Sequence, residues 1–343
     1  MTDPDGPYER KVQLTGGTTL TVSLPKSWAR EHGLDVGDRV ELHPRGNRLL
    51  VTQSDDDERD RTVTVSAHRY DPPRLGRVVT AAYVAGARTI RVEGRPNRAA
   101  SEAVRSAVAG LVGVEVASET ETELVVRTML DVEDLSPAQT LAQMESVTLS
   151  AHEAAVDAVL TGDGEAGRRI ASQDDTIDRL FGLIAREFHR SLVDVTGDGT
   201  GDGFTTFDAY TIARQLERVG DHAEKIGRVA ERIDDNPPTP VASDLDDLAV
   251  DARAVVRNAL SATLSERDPD TLCSVLTEGE AVVEAATGMD QDLYEHDLAD
   301  GYALATVVDS LTRTAEYGRN VAEAGLRASL RGSAPERLAE ANR

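Results

Sequence analysis

Three observations predict a multi-domain chain with an all-β N-terminal unit, a small α+β middle domain and an all-α C-terminal region. Short extended runs separated by Gly and Pro turns fill residues 8–53. Strand-like and helix-like runs then alternate in the order βαβαββ over 62–130. From Ser136 onward apolar residues recur in steps of three and four, the period of packed helices. The 343 residues suit two or three domains of ordinary size.

The N-terminal unit is expected to hold strands at 11–14, 18–24, 39–42 and 48–52. Gly16-Gly17 and residues 44–47 are the turns of its two hairpins. Between the hairpins runs Pro25-Lys26-Ser27-Trp28-Ala29-Arg30-Glu31-His32, a short helix with proline where a first turn tolerates it, stopped by Gly33. Residues 54–61 read as a linker. In the middle domain, strands at 63–67, 89–92, 114–117 and 124–127 and helices near 74–85 and 98–112 suit a ferredoxin-like or related sandwich. Its Gly94-Arg95-Pro96-Asn97 segment is read as a plain turn in preference to an anion site.

Six helices are expected near 137–160, 165–192, 205–234, 242–264, 269–298 and 302–331, divided three and three by Pro237-Pro238-Thr239-Pro240. The third carries the seam Ile212, Leu216, Val219, Ala223, Ile226, Ala230 and Ile233. The sixth repeats it as Leu304, Val308, Leu311, Ala315, Gly318, Ala322 and Gly325, with Leu311 standing 95 residues after Leu216. Two tandem three-helix bundles, 136–234 and 241–331, follow from that repeat.

Composition narrows the function classes. Hydrophobic residues make up 40% of the chain but aromatics only 3%, so the cores rest on Val, Ile, Leu and Ala. No apolar run reaches the roughly 20 residues of a membrane span, and the opening MTDPDGPYER lacks a signal-peptide pattern, so a cytoplasmic location is expected. The single cysteine, Cys273, excludes a disulfide framework and a cysteine-based metal cage. The net charge is −24, and lysine occurs only at 11, 26 and 225. Such an acidic, lysine-poor composition suits a halophilic setting of molar salt, where the Debye length is about 3 Å and self-repulsion costs little. The sign of the charge therefore does not exclude a nucleic-acid partner.

Two carboxylate pairs stand out. Glu217 and Asp221 lie four apart in the third helix, beside His222, and Asp174 and Asp178 share that spacing in the second. Four hard oxygens on neighbouring faces would suit a divalent or ferric ion; the competing reading is an ordinary acidic surface. The acidic loop 194–203 resembles a calcium loop only superficially, because the twelfth position is Ala209 and not Glu.

The run Leu216-Glu217-Arg218-Val219-Gly220-Asp221-His222-Ala223, with residues 168–180 (RRIASQDDTIDRL), resembles the PhoU family of phosphate-uptake regulators over about 136–331. That resemblance implies tandem three-helix bundles and, in some members, metal clusters on Glu/Asp-x-x-x-Asp pairs. Carried over, the ligands are Asp174, Asp178, Glu217 and Asp221, with iron, zinc or manganese as the ion. The second-half counterparts are Glu280, Glu284 and Glu316, with Thr312 in place of one carboxylate, so that side is expected to be empty or weaker. Lys225 also departs from the family's frequent Asn, which Asn320 retains.

Residues 8–53, through their hairpins, Leu24-Pro25-Lys26-x-Trp28 and Gly33-Leu34-x-x-Gly37-Asp38, resemble the AbrB/MazE/SpoVT swapped-hairpin DNA-binding family. The resemblance implies a homodimer through this domain that binds promoter DNA. The segment's seven basic against five acidic residues, net +2 in a chain of −24, agree with it. Arg10, Lys11, Lys26 and Arg30 are the expected DNA contacts. The two resemblances together imply a phosphate-responsive transcriptional regulator, acting negatively on phosphate uptake, whose bundles receive a signal from transporter components or signalling proteins. The alternative is an adaptor of the same family that contacts those proteins without binding DNA. No nucleophile–base pair or phosphate-cradling loop suggests an enzyme.

Overall fold

The structure, a computed structural model, describes residues 8–45, 48–53, 61–129, 136–192, 203–233, 236–265, 267–295 and 300–332; the side chains at 45, 48, 53 and 171–174 lie outside that description. The chain divides after residue 58 into two units.

In the first unit β1 (Gln13–Thr15) and β2 (Thr19–Thr21) form an antiparallel hairpin. Its turn rests on Gly16 and Gly17, both at positive φ, where a side chain would be strained. The helix α1 (Lys26–Glu31) starts after Pro25, and Gly33 at φ +67° turns the chain away from it. β3 (Val40–Arg45) and β4 (Arg48–Gln53) pair antiparallel from Val40↔Gln53 to Arg45↔Arg48. The expected hairpin–helix–hairpin order is present, with the first two strands shorter than the sequence runs.

No residue described in this unit is buried. Val12, Leu14, Leu20, Val22, Leu42 and Leu49 are each more than half exposed. Two isolated two-stranded sheets have too little area to enclose an apolar core.

The second unit begins with the middle domain: β5 (Thr62–Ser66), a 3-10 turn (Ala67–Arg69), α2 (Pro72–Val84), β6 (Thr89–Glu93), α3 (Arg98–Ala109), β7 (Val114–Glu119) and β8 (Glu123–Thr128). The sheet order is β5-β6-β8-β7; β5 and β6 are parallel and the other pairs antiparallel. This corrects the ferredoxin-like option in favour of the related sandwich. The ferredoxin-like order is βαββαβ, whereas here each of the first two strands is followed by a helix and the hairpin comes last. Leu75, Val79 and Tyr83 of α2 pack with Ile90, Val92, Val104, Leu124 and Val126 in a core of its own. Asp71 and Asn97 cap the two helices through their side chains. The 94–97 segment is a turn: the amides of Gly94 and Arg95 both donate to the Thr122 carbonyl, which leaves neither for an anion.

Six helices follow: α4 (Pro137–Thr161), α5 (Gly164–Ser191), α6 (Thr206–Ala230), α7 (Thr239–Leu264), α8 (Pro269–Glu295) and α9 (Gly301–Gly332). Ser136 caps α4, and Gly162 ends it in the left-handed conformation. Thr205 and Asp208 form a capping box on α6. Every residue of both expected seams is buried, and one continuous core joins the two halves. The third helices of the halves face each other antiparallel. His222 on α6 meets its repeat counterpart Tyr317 on α9, with the rings 5.7 Å apart, and Asn320 donates to Gln215 at 3.0 Å. Among the described residues no helix is long and apolar enough to cross a membrane.

Candidate functional site

The acidic face is built by α5 and α6. Helical spacing puts Glu217 and Asp221 one turn apart, and Asp178 on α5 faces them closely enough to raise the proton affinity of Glu217. Partial loss of solvent, then Asp221, push the Glu217 carboxyl up to about 7, against the pull of Arg214. Loss of solvent and Asp221 likewise raise Asp178, and loss of solvent raises Asp221. Three carboxylates that repel one another form a site short of positive charge.

Arg214 supplies part of that charge. Its Nη1 donates to Glu217 Oε1 at 2.8 Å, one turn earlier on the same helix. Glu217 Oε2 is buried with no hydrogen-bond partner, an orphaned acceptor beside Asp221 and Asp178. That oxygen is a hard donor with no proton donor of its own. Among the described residues, however, no three Asp, Glu, His or Cys side chains are grouped closely enough to hold a metal ion. The side chain of Asp174, the fourth expected ligand, lies outside the described residues. The Glu217 side chain is only 12% exposed, with Arg214 paired to it.

The second half does not offer the same donors. Glu280 accepts from Arg319 at 2.9 Å and Glu316 from Arg313 at 2.7 Å, while the Thr312 hydroxyl donates to the Val308 carbonyl. Glu284 is exposed on α8. Lys225 pairs with Asp309 of α9 at 2.8 Å. The calcium-loop segment lies outside the described residues up to Gly203; Ala209, its twelfth position, is buried within α6.

In the N-terminal unit Arg10, Lys11, Lys26 and Arg30 are all exposed. The Arg10 guanidinium lies over the Tyr8 ring at 5.5 Å and also donates to the Glu9 carbonyl. Lys26 opens α1 and Arg30 lies in its last turn. All four are long basic side chains at the surface of a small β unit.

Two buried features escaped the sequence reading. Arg186 of α5, 4% exposed, donates to the carbonyls of Tyr83 (2.5 Å) and Ala87 (2.9 Å) at the end of α2 and lies 4.7 Å from the centre of the Tyr83 ring. It fastens the middle domain to the first bundle. His152 of α4, fully buried, sits 3.2 Å from Thr314 of α9 and close to Arg253 of α7. An arginine in a helix of mixed charge and a histidine on an apolar face carry no local pattern that marks them.

Family comparisons agree with this architecture. A PhoU domain model matches residues 141–230, and the model described as antidote-toxin recognition MazE, bacterial antitoxin, matches 13–57. A phosphate-specific transport system accessory protein PhoU homolog from Xylella fastidiosa is 25% identical over 190 residues, covering 53% of this chain and 78% of that protein. A homolog with the same description from Synechocystis is 25% identical over 164 residues, covering 46% and 72%. The crystal structure of PhoU from Pseudomonas aeruginosa superposes with a TM-score of 0.52 at 21% identity, over 57% of this chain and 96% of that one. The chain thus carries a PhoU domain and an N-terminal MazE/AbrB-type domain, and the fold likeness extends through both helical halves.

Proposed function

We propose that this protein is a phosphate-responsive transcriptional regulator. Its N-terminal unit joins two chains and holds promoter DNA through Arg10, Lys11, Lys26 and Arg30. Its helical halves take the signal from components of a phosphate transporter or their signalling partners and lower phosphate uptake. The observation that carries this reading is the MazE-type unit, none of whose described residues is buried, attached to a PhoU domain. A β unit that exposes Leu14, Leu20, Leu42 and Leu49 needs a second chain to cover them, and pairing sets two copies of the basic side chains side by side.

In this reading the acidic face holds iron, zinc or manganese. Glu217, Asp221 and Asp178, with Asp174, would be the ligands, and the ion would offset the carboxylate repulsion that Arg214 offsets only in part. Elemental analysis of the native protein and of Glu217→Gln/Asp221→Asn tests this point. Metal is expected in the first and lost in the second; equal content in both, or none in either, rejects it.

The promoter reading is tested by anisotropy titrations of the full chain on promoter fragments of phosphate-uptake genes, at working salt. Sequence-selective binding is expected. Binding with no preference for any fragment would leave the adaptor alternative, in which the N-terminal unit only pairs chains.

A further inference from the structure

The two helical halves use the same surface differently. In the first half, the start of α4 and the C-terminal part of α5 enclose only about 20 Å³ beside Leu183, Ile184 and Glu187. The neighbouring turns of α5 are covered: Arg186 is buried in the end of α2, and Arg190 lies against Gly86. In the second half, the start of α7 and the C-terminal part of α8 leave a groove of about 550 Å³. Its floor is Val241, Leu248, Met289 and Leu293. Ala285 and Gly288 keep the α8 wall low, and a side chain added at Gly288 would meet nothing within 4 Å.

The charge on this surface is inverted between the halves. Aligning Glu280 and Glu284 with Asp174 and Asp178 places Asp292 where α5 carries Arg186. In the first half that position meets backbone carbonyls, a negative helix end, and arginine suits it. In the second half Asp292 stands on the groove with Asp244, Asp247 and Asp251 of α7. The three α7 aspartates are exposed and spaced three and four apart, a stripe about 10 Å long on one side of the helix.

We infer that the α7–α8 groove is a docking site for a cationic amphipathic helix of another protein. Its apolar side chains would fill the floor, and Lys or Arg at matching three-and-four spacing would meet the aspartate stripe. Negative charge along the groove disfavours nucleic acid and anionic lipid. The inference stands on the repeat geometry and goes beyond the proposed DNA reading, which uses a different unit of the chain.

The probe is a synthetic 14-residue helical peptide with one Leu face flanked by Arg at positions i, i+3 and i+7, compared with the same peptide carrying Glu in place of Arg. Titrating the full chain by fluorescence anisotropy should show binding of the Arg peptide and at least about tenfold weaker binding of the Glu peptide. Gly288→Trp fills the groove without altering charge and should weaken the Arg peptide by about tenfold. The combined Asp244→Asn/Asp247→Asn/Asp251→Asn variant should weaken it similarly. Circular dichroism checks that each variant keeps its helix content. Unchanged affinity in Gly288→Trp would mean that a −24 chain attracts any cation, and would overturn the proposal. So would sedimentation showing that the groove instead pairs two copies of this chain, with Gly288→Trp abolishing that association.

Discussion

His152 shows how burial sets the charge state of a single residue. The Thr314 hydroxyl donates to the Ser310 carbonyl, so the His152 Nε2–H is the donor to Thr314 Oγ1, and Nδ1 is buried with no hydrogen-bond partner to receive a second proton. Burial, then Arg253 and His222, hold its pKa down at about 3. An unfolded histidine titrates near 6.5. Between those values the unfolded chain binds a proton that the folded chain refuses, so this contribution to stability is complete above about pH 6.5 and falls with acid. The loss approaches about 1.4 kcal/mol per pH unit. Glu217, whose folded pKa is raised, works the other way and favours the folded state as pH falls from 7. The test is therefore a comparison: urea midpoints from pH 7 to pH 5 should fall more steeply for the wild type than for His152→Asn. Parallel slopes would contradict the assignment. Arg186 belongs to the same scale. Arg186→Met should cost about 2–3 kcal/mol through the loss of two charge-assisted hydrogen bonds, the Tyr83 and Ala87 carbonyls keeping only Gly86 N–H and the Thr128 hydroxyl, and should raise amide exchange in α2 before α6.

At the level of elements, much was legible because helices announce their ends. Ser136-Pro137 starts α4 and Gly162 stops it; the seam through Leu216 and Leu311 fixes which faces meet. Leu216→Ala should cost about 2–5 kcal/mol in urea unfolding, since this fully buried side chain sits in the continuous core. The sheet of the middle domain was less legible. Strand order depends on contacts between residues far apart in sequence, and nothing local in 114–128 says that β8 lies between β6 and β7. The acidic face was legible as a spacing but not as an environment. The i,i+4 pairs predicted that Glu217 and Asp221 share a face. That Arg214 would bridge Glu217, and that one of its oxygens would be left buried and unpartnered, depends on how α5 covers α6.

At the scale of the whole molecule, the described residues of the first unit include no buried core and carry exposed Arg and Lys, while the second holds two cores of its own. Sedimentation of the full chain should therefore find a dimer, with Leu14→Asp/Leu20→Asp shifting it towards monomer without loss of helix content. Mutating Arg10, Lys11 and Lys26 together to alanine should keep the dimer and weaken DNA binding. Each lost phosphate contact should flatten the slope of log affinity against log salt by about 0.9. The central claim joins these parts: one chain reads DNA and answers to phosphate. Chromatin immunoprecipitation in cells grown with and without phosphate tests it most directly. The account predicts enrichment at promoters of phosphate-uptake genes that changes between the two conditions; no enrichment, or enrichment indifferent to phosphate, would contradict it.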